Sequence, residues 1–173
     1  MDIKEHDTEE IRSSDYWNSV RNFAEEKHKY QKYGEYDYMF HVNMVVLCMR
    51  NLVKLNTKRG NDLIAAAYCH DLIEDQGVTK KEIAERFGDD VADLVAAVSA
   101  EGESRKERHQ DTKNKLKAYP DAIDLKLVDR FCNMKCARED FSEKKVKMYA
   151  SEVESYKELA EMATPIFRAL FLS

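Results

Sequence analysis

The sequence predicts an all-α fold, formed as a single domain over residues 1–173. The chain contains only 5 Gly and 2 Pro, whereas a protein of many short strands needs frequent turn residues. Apolar residues recur every three or four positions through most of the chain, which is the spacing of a buried helix face. The chain is also long enough to bury a core without disulfides or structural metals.

The first part of the chain divides into helices separated by turn residues. The expected helices are about 14–29, 38–56, 63–75, 80–87 and 89–98. Gly34 marks a break after the first helix, Asn61 is expected to cap the third, and Gly77 to end it. Thr79 and Glu82 form a capping-box pattern, in which each side chain satisfies a backbone amide at the helix start.

The second part of the chain is also expected to be helical. Residues 99–108 form a polar, basic stretch that opens into a helix. Pro120 pre-sets the first turn of the next helix, which runs to about residue 138. Ser142 begins a last long helix, which Thr164 and Pro165 interrupt. Because no repeat, low-complexity tract or linker separates these segments, one domain is expected.

The charge and the apolar pattern exclude several partner classes. The net charge of -5 disfavours general attraction to nucleic acid or an anionic membrane, so bound phosphate needs a local basic cluster. No apolar run approaches the roughly 20 residues that span a bilayer. The acidic N-terminus, MDIKEHDTEE, does not resemble a targeting segment. The four cysteines have no metal-site or disulfide spacing. We therefore expect a cytoplasmic protein with reduced cysteines, and the sequence leaves homo-oligomer formation open.

Residues 65–75 combine ionisable and apolar side chains on one helix face. At about 3.6 residues per turn, the ionisable residues share about 140° of arc. They are His70, Asp71, Glu74 and Asp75. Burying such groups costs several kcal/mol unless they are paired, hydrogen-bonded or bound to a metal. The pattern therefore indicates a compensated polar site inside the fold.

Two other predicted helices carry the same anomaly. His41 lies in line with apolar residues of the second helix, and Asp129 and Asn133 lie in an apolar stripe after Pro120. Each has a simpler interpretation taken singly, since His41 could be a hydrogen-bonded core histidine and Asp129 a cap or ion-pair member. If the three faces meet, two imidazoles and two carboxylates converge on a divalent-metal site.

These residues lie in motifs that resemble the HD-domain superfamily. The matching segments are 67–75, 87–88, 91–99 and 126–134, in the order H…HD…ED…D-x-x-x-N. The branch that this pattern resembles most is the hydrolase domain of RelA/SpoT enzymes and the small single-domain SpoT homologues of animals and bacteria. The resemblance implies a helical bundle around a central metal site and a metal-dependent phosphohydrolase activity.

The resemblance also implies a role for each matching residue. The implied metal ligands are His41, His70, Asp71 and Asp129, with Mn²⁺ the usual ion of the branch. Glu74 and Asp75 match the pair that orients and deprotonates the attacking water. Asn133, Lys145 and Tyr149 match substrate contacts. The ligand types alone suit Mn²⁺, Fe²⁺ and Zn²⁺ about equally.

Positive charge is needed beside the developing negative charge of phosphoryl transfer. Arg105, Lys106 and Arg108 are candidates for this role, with a solvated surface cluster as an equal alternative. Lys145 and Lys32 are further candidates. The family usually has an Arg-Lys pair before the first ligand. Here Lys32 lies at or beside that pair, but Tyr33 occupies a position where a basic residue is expected.

The implied substrate is a nucleotide, with the 3′-pyrophosphate of guanosine tetra- or pentaphosphate the first candidate. A nucleotidase or deoxynucleotide triphosphohydrolase of the same superfamily is the second. A third interpretation is a non-catalytic HD domain that senses nucleotides. The presence of both Glu74 and Asp75 favours retained catalysis over this third interpretation.

Overall fold

A computed structural model describes residues 8–140 and 142–173, and the earlier part of the acidic N-terminal segment lies outside them. The described chain consists of helices and one short hairpin, which confirms the all-α prediction. Within these ranges, no helix is both long and apolar enough to cross a membrane. The chain divides into two compact units, Met1–Ser99 and Ala100–Ser173. The single-domain expectation stays a prediction.

The first unit contains a run of helices interrupted by a hairpin. In chain order its elements are α1 (Ser14–His28), β1 (Lys32–Tyr33), β2 (Tyr36–Asp37), α2 (Met39–Leu52), α3 (Lys58–Cys69), α4 (Leu72–Gln76), α5 (Lys80–Phe87) and α6 (Asp89–Val98). The antiparallel strands pair Lys32 with Asp37 and Tyr33 with Tyr36. Gly34 lies between them with φ +61°, a left-handed conformation that favours glycine. The hairpin therefore fills the break predicted after the first helix.

Helix α3 forms the centre of this unit. It packs against α1, α2 and α6, and residues 60–67 and Cys69 are all buried. Residues 65–67 are alanines, whose small side chains let neighbouring helices approach closely on several faces. Because α3 runs through the interior, the residue that follows it, His70, is also buried at 3% exposure.

The structure corrects both ends of the predicted third helix. Thr57, not Asn61, caps α3, and its hydroxyl accepts the Gly60 amide at 3.1 Å. Asn61 lies inside the helix and donates through its side-chain amide to the carbonyl of Glu10. The prediction of one helix through residue 75 was also wrong. Asp71 has φ −103° and ψ 0°, which ends the helical run before α4 begins.

The second unit is also helical. Its elements are α7 (Arg105–Ala118), a 3₁₀ turn (Pro120–Ala122), α8 (Ile123–Glu139), α9 (Glu143–Ala160) and α10 (Pro165–Leu172). Helix α8 packs against α9 and α10. Near its start, the buried carboxylate of Asp124 accepts the backbone amide of Thr164 at 2.9 Å and its hydroxyl at 2.7 Å. The predicted interruption at Thr164 is therefore a helix junction held by a buried acid.

Gly60 provides a test of the α3 start. A Cβ added there would lie 2.2 Å from the carbonyl oxygen of Lys54. Gly60→Ala should therefore lower the free energy of unfolding by about 1–3 kcal/mol, although alanine normally stabilises a helix by about 1 kcal/mol over glycine. Chemical denaturation of both forms measures the difference. Asn18→Ala, at an exposed position of α1, is the control and should not destabilise. A stabilising Gly60→Ala would contradict the close approach.

Candidate metal centre

Three side chains of metal-ligand type meet in the first unit. His41 of α2 and His70 after α3 are buried, and Asp71 is partly exposed. One ligand atom from each lies within 4.8 Å of the others. The Nε2 atoms of the two histidines are 3.2 Å apart. Oδ2 of Asp71 lies 2.9 Å from Nε2 of His70 and 3.7 Å from Nε2 of His41.

These separations fit a single divalent ion. Bonds from such an ion to imidazole nitrogen or carboxylate oxygen are about 2.0–2.2 Å long, so two ligands of one ion lie about 3.0–3.5 Å apart. The three measured separations, 2.9, 3.2 and 3.7 Å, bracket that range. Two imidazole nitrogens and a carboxylate oxygen also form a donor set that Zn²⁺, Fe²⁺ and Mn²⁺ accept. The residues present therefore fit a divalent metal.

A backbone contact orients the ring of His70. Its Nδ1 lies 2.8 Å from the carbonyl oxygen of Ala67. A carbonyl only accepts, so Nδ1 donates its proton to it, and Nε2 faces His41 and Asp71. In the neutral ring, which is the form in which histidine binds a metal, the lone pair is then on Nε2. The same contact gives a carbonyl in the last turn of α3 a hydrogen-bond partner. One interaction therefore both caps the helix end and orients the candidate ligand.

Tyr38, just before α2, holds the carboxylate of this cluster. Its hydroxyl donates to Oδ2 of Asp71 at 2.6 Å. A phenol that donates to a ligand carboxylate fixes the orientation of that carboxylate. Tyr33 contacts the other side of the cluster, because its ring stacks on His41 with centroids 4.8 Å apart and planes 9° from parallel. Two tyrosines therefore restrict the motion of two candidate ligands.

The predicted catalytic acids follow directly after the cluster. Glu74 and Asp75 lie in α4, and the amide of Asp75 donates to the carbonyl of Asp71 at 2.9 Å. Gln31 donates from Nε2 to Oδ2 of Asp75 at 2.8 Å. Partial desolvation and the nearby charges of Asp71 and Glu74 raise the pKa of Asp75, while the Gln31 hydrogen bond opposes the rise. Both acids therefore lie within one helical turn of the ligand Asp71.

The described geometry agrees with a known family. A family model of the HD domain matches residues 20–163 of the chain. The chain belongs to the HD domain family. This match includes residues of both compact units, and it confirms the resemblance seen in the motifs. A solved structure of a metazoan orthologue of SpoT, described as hydrolysing ppGpp, has a TM-score of 0.72 at 20% identity and covers 93% of each chain. It confirms the HD helical fold.

Three curated relatives share the same enzyme name. A guanosine-3′,5′-bis(diphosphate) 3′-pyrophosphohydrolase of Aquifex aeolicus is 36% identical over 146 residues, which cover 80% of this chain and 20% of that protein. The MESH1 enzyme of that name from Xenopus tropicalis is 32% identical over 76% of this chain and 79% of its own length. The one from Danio rerio is 28% identical over 74% of each. The chain thus spans a fifth of the bacterial relative and most of the animal ones.

The fourth predicted ligand of the HD domain, Asp129, lies in the second unit. It is buried at 4% exposure, and its Oδ1 accepts the side-chain amide of Asn133 at 2.7 Å. Its Oδ2 lies 3.6 Å from Nζ of Lys126 and 3.5 Å from Nη2 of Arg130. The predicted stripe of buried polar residues is thus present in α8. A role of Asp129 in the metal site stays a prediction.

The predicted substrate contacts have varied surroundings. Lys32 pairs with Asp37 across the hairpin, and both side chains are exposed. Arg105 pairs with Glu152, which also accepts Nη1 of Arg130 at 2.8 Å. Lys106 and Lys145 are exposed, while Asn133 is buried. Tyr149 is partly buried below the guanidinium of Arg130, and this burial raises its pKa. The substrate roles of these residues stay predictions.

Sequence reasoning missed three residues that contact the predicted site. They are Tyr38, which binds Asp71, Gln31, which binds Asp75, and His28, which contacts both Tyr38 and Gln31. For His28 a signal was present, because it follows the buried Val20 and Ala24 at intervals of four along α1. This is the same pattern that indicated His41, namely a histidine in line with the buried apolar residues of a helix. Tyr38 and Gln31 lie outside the helices, where no periodicity marks them.

The Tyr38 contact predicts weaker metal binding without its hydroxyl. Tyr38→Phe leaves the ring in place but removes the donor to Asp71, so the affinity for Mn²⁺ should fall about tenfold or more. Calorimetric titration of the metal-free protein measures this change. The matched control is Tyr36→Phe, at an exposed residue that stacks on Phe40. Equal affinities of the two variants would show that the Tyr38 hydroxyl does not support the site.

Proposed function

We propose that this HD domain is a metal-dependent hydrolase that removes the 3′-pyrophosphate of guanosine tetra- or pentaphosphate. The observation that carries the proposal is the cluster of His41, His70 and Asp71, with Glu74 and Asp75 in the following turn. Similarity to three 3′-pyrophosphohydrolases over 74% to 80% of this chain supports the substrate.

We assign the metal to His41, His70 and Asp71 of the first unit, and the family resemblance implies Asp129 as a further ligand. Asp129 is a buried residue of α8, and carboxylate oxygen is a ligand that such ions accept. We take Mn²⁺ as the resident ion from the family resemblance, with Zn²⁺ and Fe²⁺ as alternatives of similar ligand preference. When bound, such an ion lowers the pKa of water and polarises a phosphoryl oxygen.

The two acids of α4 handle the proton of the attacking water. Glu74, four residues after His70, accepts this proton as general base. Asp75, held by Gln31, orients the water toward phosphorus. Water oxygen then bonds to the phosphorus attached to the 3′ oxygen, and the bond between that phosphorus and the 3′ oxygen breaks. Pyrophosphate leaves, and the 3′ oxygen gains a proton to become a hydroxyl, so one water is consumed.

Substrate binding requires cations that can exchange their partners. The residues that we assign to substrate binding are four cations and two neutral polar side chains: Lys32, Arg105, Lys106, Lys145, Asn133 and Tyr149. The pair between Lys32 and Asp37 is exposed on both sides, and exposed pairs contribute little, about 0–1 kcal/mol. A polyphosphate with several negative charges can therefore replace Asp37 as the partner of Lys32 at small cost.

A second candidate substrate is another nucleotide phosphate, as in a nucleotidase or deoxynucleotide triphosphohydrolase. Tyr33 favours this candidate, because it stands where the family has a basic residue and packs flat on His41. A stacked tyrosine cannot bind phosphate as a guanidinium does. The products separate the candidates, since they are pyrophosphate, inorganic phosphate or tripolyphosphate.

We place this activity in the cytoplasm. The support is that none of the four cysteines forms a disulfide, and three of them are buried. They are Cys48, Cys69, Cys132 and Cys136. Burial raises the pKa of the Cys69 thiol to about 12, so this thiol stays protonated and unreactive. Cysteines that remain as thiols are typical of proteins in a reducing compartment.

Two substitutions separate metal binding from catalysis. Asp71→Ala removes a ligand, so metal and activity should be lost together. Glu74→Ala should keep the metal but lower kcat by about 10²–10⁴-fold, because it removes only the general base. Metal content is measured by elemental analysis, and products are identified after incubation with guanosine tetraphosphate, nucleoside monophosphates and deoxynucleoside triphosphates in Mn²⁺.

The control is Glu85→Ala, at an exposed residue of α5. It should match the unsubstituted protein in metal content and turnover. Equal activity of Asp71→Ala, Glu74→Ala and the unsubstituted protein would disprove the enzymatic proposal. Activity on other nucleotides but not on guanosine tetraphosphate would support the hydrolase activity and contradict the proposed substrate.

A further inference from the structure

His28 is a buried histidine outside the predicted ligand set. It ends α1 at 1% exposure, and its Nδ1 lies 2.7 Å from Oε1 of Gln31. An amide oxygen only accepts, so Nδ1 carries the proton. Burial also lowers the pKa of His28, which favours the neutral ring. Its Nε2 is buried and has no hydrogen-bond partner among the residues that the structure describes.

The side-chain amide of Gln31 joins His28 to Asp75. Its Nε2 donates to Oδ2 of Asp75 at 2.8 Å, and its Oε1 also accepts Nε2 of Gln76 at 2.5 Å. The ionised carboxylate can only accept, so the amide nitrogen must face Asp75 and the oxygen must face His28. Rotating the amide would place its oxygen against the ionised carboxylate and break the contact with Asp75. The direction of the Asp75 hydrogen bond is therefore fixed from the end of α1.

The ring of His28 also contacts the metal-ligand side of the site. It lies against the ring of Tyr38, with centroids 4.6 Å apart and planes 31° from parallel. The hydroxyl of Tyr38 in turn donates to Asp71. One buried imidazole thus supports two hydrogen-bond donors, one for the candidate ligand carboxylate and one for the candidate catalytic carboxylate.

Simple core packing does not explain this choice of residue. A buried nitrogen without a partner carries a desolvation cost that a phenyl ring in the same place would avoid. What histidine offers over phenylalanine here is the Nδ1 proton for Gln31. The desolvation cost at Nε2 therefore has a functional explanation if the Nδ1 proton of His28 is needed to orient Gln31.

We propose that His28 and Gln31 are positioning residues, which act through Asp75 to orient the attacking water. The inference rests on the proposed function, because it assigns Asp75 a part in hydrolysis. Gln31 sets the direction of the Asp75 carboxylate, and His28 sets the direction of Gln31. Neither residue contacts the reacting atoms.

Three variants test the chain of contacts. Gln31→Met removes the amide at similar volume, and His28→Phe keeps the ring but removes the Nδ1 proton. Each should lower kcat by about tenfold to a hundredfold, with KM changed less than about twofold and Mn²⁺ affinity unchanged. His28→Asn keeps a donor near the position of Nδ1 and should recover most of the kcat lost in His28→Phe. The control is Gln110→Met, at an exposed residue of α7, which should leave kcat unchanged.

The double variant distinguishes positioning from general loss of structure. If His28 acts through Gln31, the kcat of His28→Phe/Gln31→Met should equal that of Gln31→Met alone. Multiplied losses, or unchanged kcat in Gln31→Met, would overturn the proposal. If Gln31→Met does not fold, His28→Phe against His28→Asn makes the same test, and equal kcat values would overturn it.

A measurement without substrate separates this inference from the proposed function. The hydrogen bond from Gln31 stabilises the ionised form of Asp75, so Gln31→Met should raise the pKa of Asp75 in an NMR titration of the carboxyl carbon. An unchanged pKa would refute the contact. If the unsubstituted protein hydrolyses no nucleotide while this shift is observed, the proposed function fails and the contact from Gln31 to Asp75 stands.

Discussion

The first unit depends on how it compensates the ionisable side chains buried beside α3. His41 and His70 have 1% and 3% exposure, and the carboxylate of Asp71 lies against them. Such groups are costly to bury unless each polar atom has a partner. The Ala67 carbonyl and the Tyr38 hydroxyl supply partners for His70 and Asp71. The lone pairs that remain converge within the bonding range of one cation, so compensation of the buried charge and metal binding depend on the same geometry.

The break between α3 and α4 connects this geometry to catalysis. In a continuous helix, the Ala67 carbonyl would accept a backbone amide. Because the chain turns at Asp71, the His70 ring takes that carbonyl instead and presents Nε2 to the cluster. Helix α4 then continues for one short run, which carries Glu74 and Asp75. A local departure from helical geometry thus places the candidate ligand Asp71 at the start of the short helix that carries the candidate acids.

The substrate-facing chemistry differs more from the family than the metal cluster does. Tyr33 replaces a basic residue and packs on His41, and Lys32 pairs with Asp37. Aromatic stacking restricts a ligand, but it supplies no charge for a polyphosphate. This HD domain therefore combines the His-Asp cluster with a hairpin that departs from the family pattern. We expect the choice of substrate to depend on this hairpin.

Helix content and the buried polar residues of the helix faces could be predicted from the sequence, because helical periodicity is local and an acid or imidazole in an apolar stripe is visible in one dimension. The same rule applied to α1 would have found His28. The family could be predicted from its motifs. The ends of α3 could not be predicted, since Thr57 and Gly60 meet the carbonyl of Lys54 only after the chain has turned. Hydrogen-bond partners from distant segments, such as Gln31 for Asp75, depend on distances that only packing sets. The sequence alone determined which residue types could bind a metal, and the tertiary structure decided which atoms face one another, because side-chain direction follows from backbone breaks and contacts between elements.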